Sequence, residues 1–280
     1  MREVAVVTDT SSSLTDHTAE QMGITLVPIN IQFGRQTFRD GADMTHEEFY
    51  HRLIRGEMPK TSQPSPGEFL KVYQRLAEGF RSIVSIHVTG RASGTVQSAN
   101  LARQSLPEAD ISVVDSGLTS MGLGFMALEA ARAAMSGATA AEILDLIEDI
   151  RPRLDVFAAL PTLKYLLRSG RVGKGQGLLA EVLSIRPVLT MQSGLLEAAA
   201  RVRTYPRALG RMTEMAVARA RGEPVRLAVL YTQTLEEAQR FGMSIEGRFN
   251  LDGDLPMVEM GPALASHGGP GMMGLAMFRV

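Results

Sequence analysis

The first apolar block, Val4-Ala5-Val6-Val7, is closed by Thr8, Asp9, Thr10 and three serines, and its length and β-branched content predict a buried strand. A helical stretch from Asp16 to Met22 follows, and Ile24 to Ile31 reads as a second strand. Thr45-His46-Glu47-Glu48 supplies an N-cap and first-turn acids for a helix through Ile54, and Ser65-Pro66-Gly67-Glu68 opens another with proline at a first helical position. Strands are then predicted over Ser82–Val88 and Ile111–Val114, with helices over Ser93–Ser105, Leu118–Met135 and Ala140–Ile150. Strands alternating with helices in this way predict a parallel sheet covered by helices.

Past Arg151-Pro152 the pattern changes. Shorter apolar runs at Val156–Ala159, Val188–Met191, Leu195–Val202, Val225–Tyr231 and Met257–Met260 predict strands, with helices at Pro206–Arg219 and Leu235–Arg248. The expected fold class is therefore α/β in two lobes. A parallel-sheet α/β/α lobe spans 1–155, and a second lobe with a mixed or antiparallel sheet and flanking helices spans 156–280. No repeat of solenoid period interrupts this plan.

Composition narrows the function classes. A chain of 280 residues with a formal net charge of −1 lacks the basic excess that phosphate-backbone binding requires, so nucleic acid is not the expected partner. The absence of cysteine removes disulfides, cysteine metal sites and a thiol nucleophile, and is compatible with a reducing compartment. A strand begins directly after Met1-Arg2-Glu3, and no window approaches the roughly 18–20 uncharged apolar residues of a membrane span. The expectation is a cytoplasmic protein with no signal peptide and no stable membrane insertion.

Several enzyme signatures are missing. His46 and His51 are five residues apart, about 140° around a helix, which does not make a zinc pair, and no metal site is expected. Gly173-Lys174-Gly175-Gln176-Gly177 has neither the dinucleotide nor the Walker spacing and reads as a loop. There is no Gly-x-Ser-x-Gly elbow and no Ser-x-x-Lys pair, and no cofactor is expected.

Candidate chemistry lies instead in polar corners. Asp9–Ser13, Lys60–Ser65, Arg91–Thr95 and Asp115–Gly117 each adjoin a predicted strand or helix start, where uncovered amides and a partial positive charge receive anions. Capping by Ser65 or Ser93 accounts for part of this pattern. Near the C-terminus, Gly261-Pro262-Ala263-Leu264-Ala265-Ser266-His267-Gly268-Gly269-Pro270-Gly271 sets one titratable side chain in a glycine- and proline-rich corner. It reads either as a tight turn or as a preset concavity for an anion.

Taken in order, these segments resemble the DegV family, which includes the FakB fatty-acid-binding proteins of bacterial fatty-acid kinase systems. The resemblance is carried by Thr8-Asp9-Thr10-Ser11, Asp40-Gly41-x-Asp43, Thr61-Ser62-Gln63-Pro64-Ser65, Ser93-Gly94-Thr95 with Gln97-Ser98-Ala99, and Asp115-Ser116. It continues through Gly170-Arg171-Val172, Arg186-Pro187-Val188-Leu189 and His267-x-Gly269-Pro270-Gly271, covering essentially the whole chain. Thr89-Gly90-Arg91-Ala92 and Arg186 depart from the commoner family residues.

The resemblance implies a long-chain fatty acid buried between the two lobes, its carboxylate held by Thr61, Ser93 and His267 with Ser62 and Gly94 in support. Arg171 and Arg203 would lie near the site or face a partner. It further implies a non-enzymatic carrier that presents the carboxylate to a separate fatty-acid kinase and carries the acyl phosphate toward phospholipid synthesis, with an acyltransferase as a further candidate partner. Met257, Met260, Met272, Met273 and Met277 are candidate tunnel residues or ordinary core. Two alternatives stay open: an acyl hydrolase or acyltransferase in which His267 activates Ser93 or Thr61, and a lipid-sensing regulator.

Overall fold

The computed structural model describes residues 2–171 and 185–280, so the Gly173–Gly177 loop, Val172 and Lys174 lie outside the described residues. The chain forms two compact units: residues 1–44 with 61–152, and residues 45–60 with 153–280. A single division at 155/156 does not capture this, because the helix His46–Ile54 (α2) belongs with the C-terminal residues. His46 Nδ1 lies 2.8 Å from Glu259, which ties α2 to the short strand Met257–Glu259.

The first unit is built on four parallel strands: β1 (Arg2–Asp9), β2 (Ile24–Val27), β6 (Phe80–His87) and β7 (Asp110–Asp115), in the order β2-β1-β6-β7. The helices are α1 (Asp16–Gln21), α3 (Pro66–Ala77), α4 (Thr95–Gln104), α5 (Ser120–Met135) and α6 (Ala140–Ile150). Ser65 and Thr139 close capping boxes with Glu68 and Glu142, which accounts for the sharp starts of α3 and α6. On one face of the sheet, Val7, Val27 and Ile83 pack against Phe69, Tyr73, Ala99 and Ala102.

The expected strand Ile24–Ile31 is two strands. Pro28 offers no N–H for a ladder, and past it β3 (Asn30–Phe33) leaves the sheet to pair with β4 (Gln36–Arg39) and join β5 (Lys60–Ser62) in a small separate sheet. The Asp40-Gly41-x-Asp43 motif follows β4 at the open end of this hairpin, where the Asp40 amide donates to the Ile29 carbonyl. Gly41 takes a left-handed φ of 77°, and Asp43 accepts from the Arg39 amide and guanidinium, which holds its carboxyl at about 2.

The second unit is a mixed sheet in the order β10-β9-β8-β14-β11-β12, with β13 also beside β11. Its strands are β8 (Leu154–Ala159), β9 (Arg186–Gln192), β10 (Leu195–Val202), β11 (Pro224–Tyr231), β12 (Asn250–Leu251), β13 (Met257–Glu259) and β14 (Met273–Arg279). Sequence reading missed β14, which is central. Every residue of it is buried, so no polar alternation marks it. Besides α2, its helices among the described residues are α7 (Lys164–Ser169), α8 (Tyr205–Ala220), α9 (Leu235–Ile245) and α10 (Pro262–Gly268).

Alternation divides the sheet into two faces. Phe157, Ala159, Leu227, Val229, Met273 and Met277 meet Ala208, Met212, Ala216 and Ala238 of α8 and α9. Met257 packs against the same core and Met272 against Gly268, so the methionines near His267 serve largely as packing. The opposite face carries small side chains at neighbouring positions: Ala158 beside Gly274, Val156 beside Ala276, and Ala276 beside Ala228.

Candidate functional site

In the first unit, β1 lies between β2 and β6, so the chain reverses its direction of winding at the carboxyl ends of β1 and β6. This is the position at which open α/β sheets bind ligands. Several polar corners converge on this edge, but their polar groups are spent differently.

The Asp9 corner is closed. Asp9 accepts from the Ser11 amide through Oδ1, and from the Val88 amide and His87 Nδ1 through Oδ2, all at 3.0 Å. Tyr73 donates to Ser85 Oγ at 2.8 Å, and Ser85 Oγ lies 2.7 Å from His87 Nε2. The donors therefore run one way, from Tyr73 through Ser85 and His87 to Asp9, with the proton on His87 Nδ1. This is the residue set of a serine hydrolase in outline, yet Asp9, Ser85, His87 and Tyr73 are fully buried, and Phe69 packs edge-on to His87 at 4.9 Å. No substrate reaches Ser85, and burial raises the Tyr73 hydroxyl's pKa far above neutrality, so it stays a donor. The chain is a strut. Sequence reading missed it because its members stand on three elements.

Asp115 is also structural. Its Oδ2 accepts from the Gly90 amide at 3.1 Å and its Oδ1 from Gly117 at 2.9 Å, while Arg151 donates to the carbonyls of Asp115 and Ser116. A side chain at Gly90 would press on that carboxylate, which explains the glycine in Thr89-Gly90-Arg91-Ala92. Together Asp9 and Asp115 fix both ends of the turn leading to Ser93.

The Ser93 corner is left partly open. Ser93 Oγ accepts from the Thr95 amide at 3.3 Å and lies 2.8 Å from Thr95 Oγ1, but the N-cap position of α4 is Gly94, so Ser93 bonds the first helical amide from one residue outside the expected capping position. If Thr95 donates in that pair, Ser93 has accepted twice and its own O–H is available to an acceptor. A Cβ on Gly94 would sit 2.9 Å from the Gln63 side chain. That contact joins the Thr61-Ser62-Gln63 and Ser93-Gly94-Thr95 motifs in space. Thr61 and Ser93 are half-buried and Ser62 is exposed.

In the second unit, the glycine- and proline-rich corner is a short helix followed by a braced loop. Pro262 starts α10 after Gly261, and His267 sits in its last turn. Gly269 has φ 76° and lies against the Tyr165 ring, leaving no room for a side chain. Thr232 donates to the Gly269 carbonyl and accepts from the Met272 amide, and Tyr205 donates to the Gly271 carbonyl at 2.7 Å. His267 is therefore presented from a fixed frame. Burial, and then the nearby charge of Arg171, push its pKa down to about 4. Arg171 is thus near enough for its charge to act on His267, whereas Arg203 is exposed just before α8.

A search against known proteins matches the sequence profile of the DegV family, described as uncharacterised proteins, over residues 3–280. The chain belongs to the DegV family. A DegV domain-containing protein of Streptomyces coelicolor is 34% identical over 275 residues, covering 98% of each chain. Among solved structures, a DegV family protein from Thermus thermophilus described as fatty-acid-binding superposes with a TM-score of 0.91 at 33% identity, covering 100% of both chains. DegV of Bacillus subtilis, described as a fatty acid binding protein, superposes with a TM-score of 0.92 at 26% identity, also over 100% of both chains. Among the described residues of this DegV protein, no helix is long and apolar enough to cross a membrane, and no cluster of three or more His, Asp or Glu could hold a metal ion.

Proposed function

We propose that this DegV protein is a non-enzymatic carrier of a long-chain fatty acid, which it holds by its tail and presents by its carboxylate to a separate kinase. The observation that carries this reading is its full-length likeness to the fatty-acid-binding DegV protein of Thermus thermophilus. The acyl phosphate formed would then pass toward phospholipid synthesis, with an acyltransferase as the receiving partner.

Thr61, Ser62, Ser93 and Gly94 from the first unit and His267 from the second are the proposed carboxylate donors, with Arg171 in support and Arg203 facing the kinase. A carboxylate only accepts, so it suits a Ser93 hydroxyl with a proton to give and an imidazole N–H. An imidazole with a pKa of about 4 is a weak base at neutral pH, which favours a hydrogen-bonding role for His267 over activation of Ser93 for acyl transfer.

The tail would supply most of the affinity, since about fourteen methylenes at roughly 0.8 kcal/mol each represent on the order of 11 kcal/mol before ordering and association costs. The sheet face bearing Ala158, Gly274, Ala276 and Ala228 is the proposed floor for it, because small side chains leave depth beside the strands. Native mass spectrometry and lipid extraction of the purified protein test the reading. An acyl chain is expected at one per protein; a protein that carries none and binds no added palmitate overturns it.

A further inference from the structure

We propose that the groove between α8 and α9 is a second binding site, shaped for a single-chain amphiphile with an anionic head group. The groove has a volume of about 540 Å³ and lies over the sheet face packed by these two helices. Leu209, Phe241, Ile245 and Met273 give it an apolar floor, and Arg240 and Arg248 stand on its rim.

The sequence of the two helices produces this cleft. Helix faces that meet normally interdigitate, and a gap between them forfeits contacts on both sides. Here the facing positions include Gly210 on α8 and Ser244 on α9, and a Cβ at Gly210 would meet no atom within 4 Å. The space is open, apolar beneath and of the size that small ligands occupy.

Charge selects the head group. Among the described residues neither the Arg240 nor the Arg248 side chain has a hydrogen bond or ion pair, so both guanidiniums can grip a carboxylate or a phosphate. Glu237 lies at the Tyr205 end of the groove, where its charge adds to the rise in the Tyr205 pKa. An anion is disfavoured there, which directs the head along the helix toward Arg248, with Arg240 one turn from Glu237 alongside the tail over Phe241 and Leu209.

The site is tested on the full chain with methyl-labelled isoleucine and leucine, titrated with decanoate, decyl phosphate and uncharged decanol below their aggregation concentrations. The Ile245 and Leu209 methyl resonances should shift saturably with both anions, the tighter one identifying the head group, and roughly tenfold more weakly with decanol. Gly210→Trp should abolish these shifts by filling the groove, and joint Arg240→Gln and Arg248→Gln should weaken them roughly tenfold. Neither change should alter palmitate binding followed at His267, so loss of this site and failure of the carrier reading are distinguishable. No saturable shift with either anion, an equal response to decanol, or an unchanged response in Gly210→Trp overturns the proposal.

Discussion

The Asp9 and Ser93 corners stand at the same edge of the same sheet and are both rich in hydroxyls, yet they do opposite things with their hydrogen bonds. Around Asp9, Ser85, His87 and Tyr73 the donors and acceptors are matched inside the protein and fully buried. Around Ser93 the hydroxyl oxygen accepts from the Thr95 amide at a half-buried position, and its proton is left for something else when Thr95 donates in their pair. Hydroxyl density therefore does not identify a binding site. A binding site of the proposed kind needs unspent hydrogen-bonding capacity at an accessible place, and the Asp9 corner supports the Ser93 corner by anchoring the Val88 amide at the root of its loop.

The comparison can be broken most decisively at Asp9. Asp9→Ala should leave the His87 ring and two amides without their buried acceptor and cost about 3–5 kcal/mol in urea unfolding, whereas Ser93→Ala should cost only about 1 kcal/mol as one lost bond to the Thr95 amide. Equal costs would mean that the two corners do not differ as described.

The next effect is on pH dependence in the second unit. The folded pKa of His267, about 4, lies below the ordinary histidine value of 6.5, so between those values the unfolded chain binds more protons. Its contribution to stability is complete above about pH 6.5 and is lost as the pH falls toward 4, by up to about 3 kcal/mol. His267→Gln should flatten that slope in unfolding free energies measured at pH 7 and pH 4.5. An unchanged slope would remove His267 as its source.

Head-group binding should show a complementary pattern. Ser93→Ala should weaken palmitate binding by about 1.5–3 kcal/mol in calorimetry, more than it weakens the fold. If Ser93 and His267 share one carboxylate, Ser93→Ala and His267→Ala combined should depart from additivity by at least about 0.5 kcal/mol, and strict additivity would separate them. The smallest expected effect concerns the tail. Ala158→Leu should reduce affinity for palmitate more than for octanoate, since it raises the proposed floor; a loss of stability with no change in chain-length preference would return Ala158 to ordinary core.

Much of the fold was legible because its signals are local. Capping at Ser65, Pro66 at a helix start and alternation of strand with helix mark most elements of the first unit, and capping at Thr45 marks α2 of the second. The site was legible as separate pieces. A helix start near Ser93-Gly94 was visible, but that Gly94 is the N-cap and that the Gln63 side chain lies against it was not. The 261–271 segment reads as a corner because its prolines and glycines dominate, while the five residues from Ala263 to His267 between them complete a helix.

By itself the sequence determined the α/β class, most element positions and the ordered motifs of the DegV family, because helix caps, proline and hydrophobic period act over a few residues. Only the tertiary structure decided that residues 45–60 join the second unit, that β14 lies at the centre of its sheet, and that Asp9, 78 positions from His87, shares a buried chain of donors with it. The physical reason is that a side chain's hydrogen-bonding capacity is set by its type, but whether the protein itself uses that capacity depends on partners that folding brings together from distant parts of the chain.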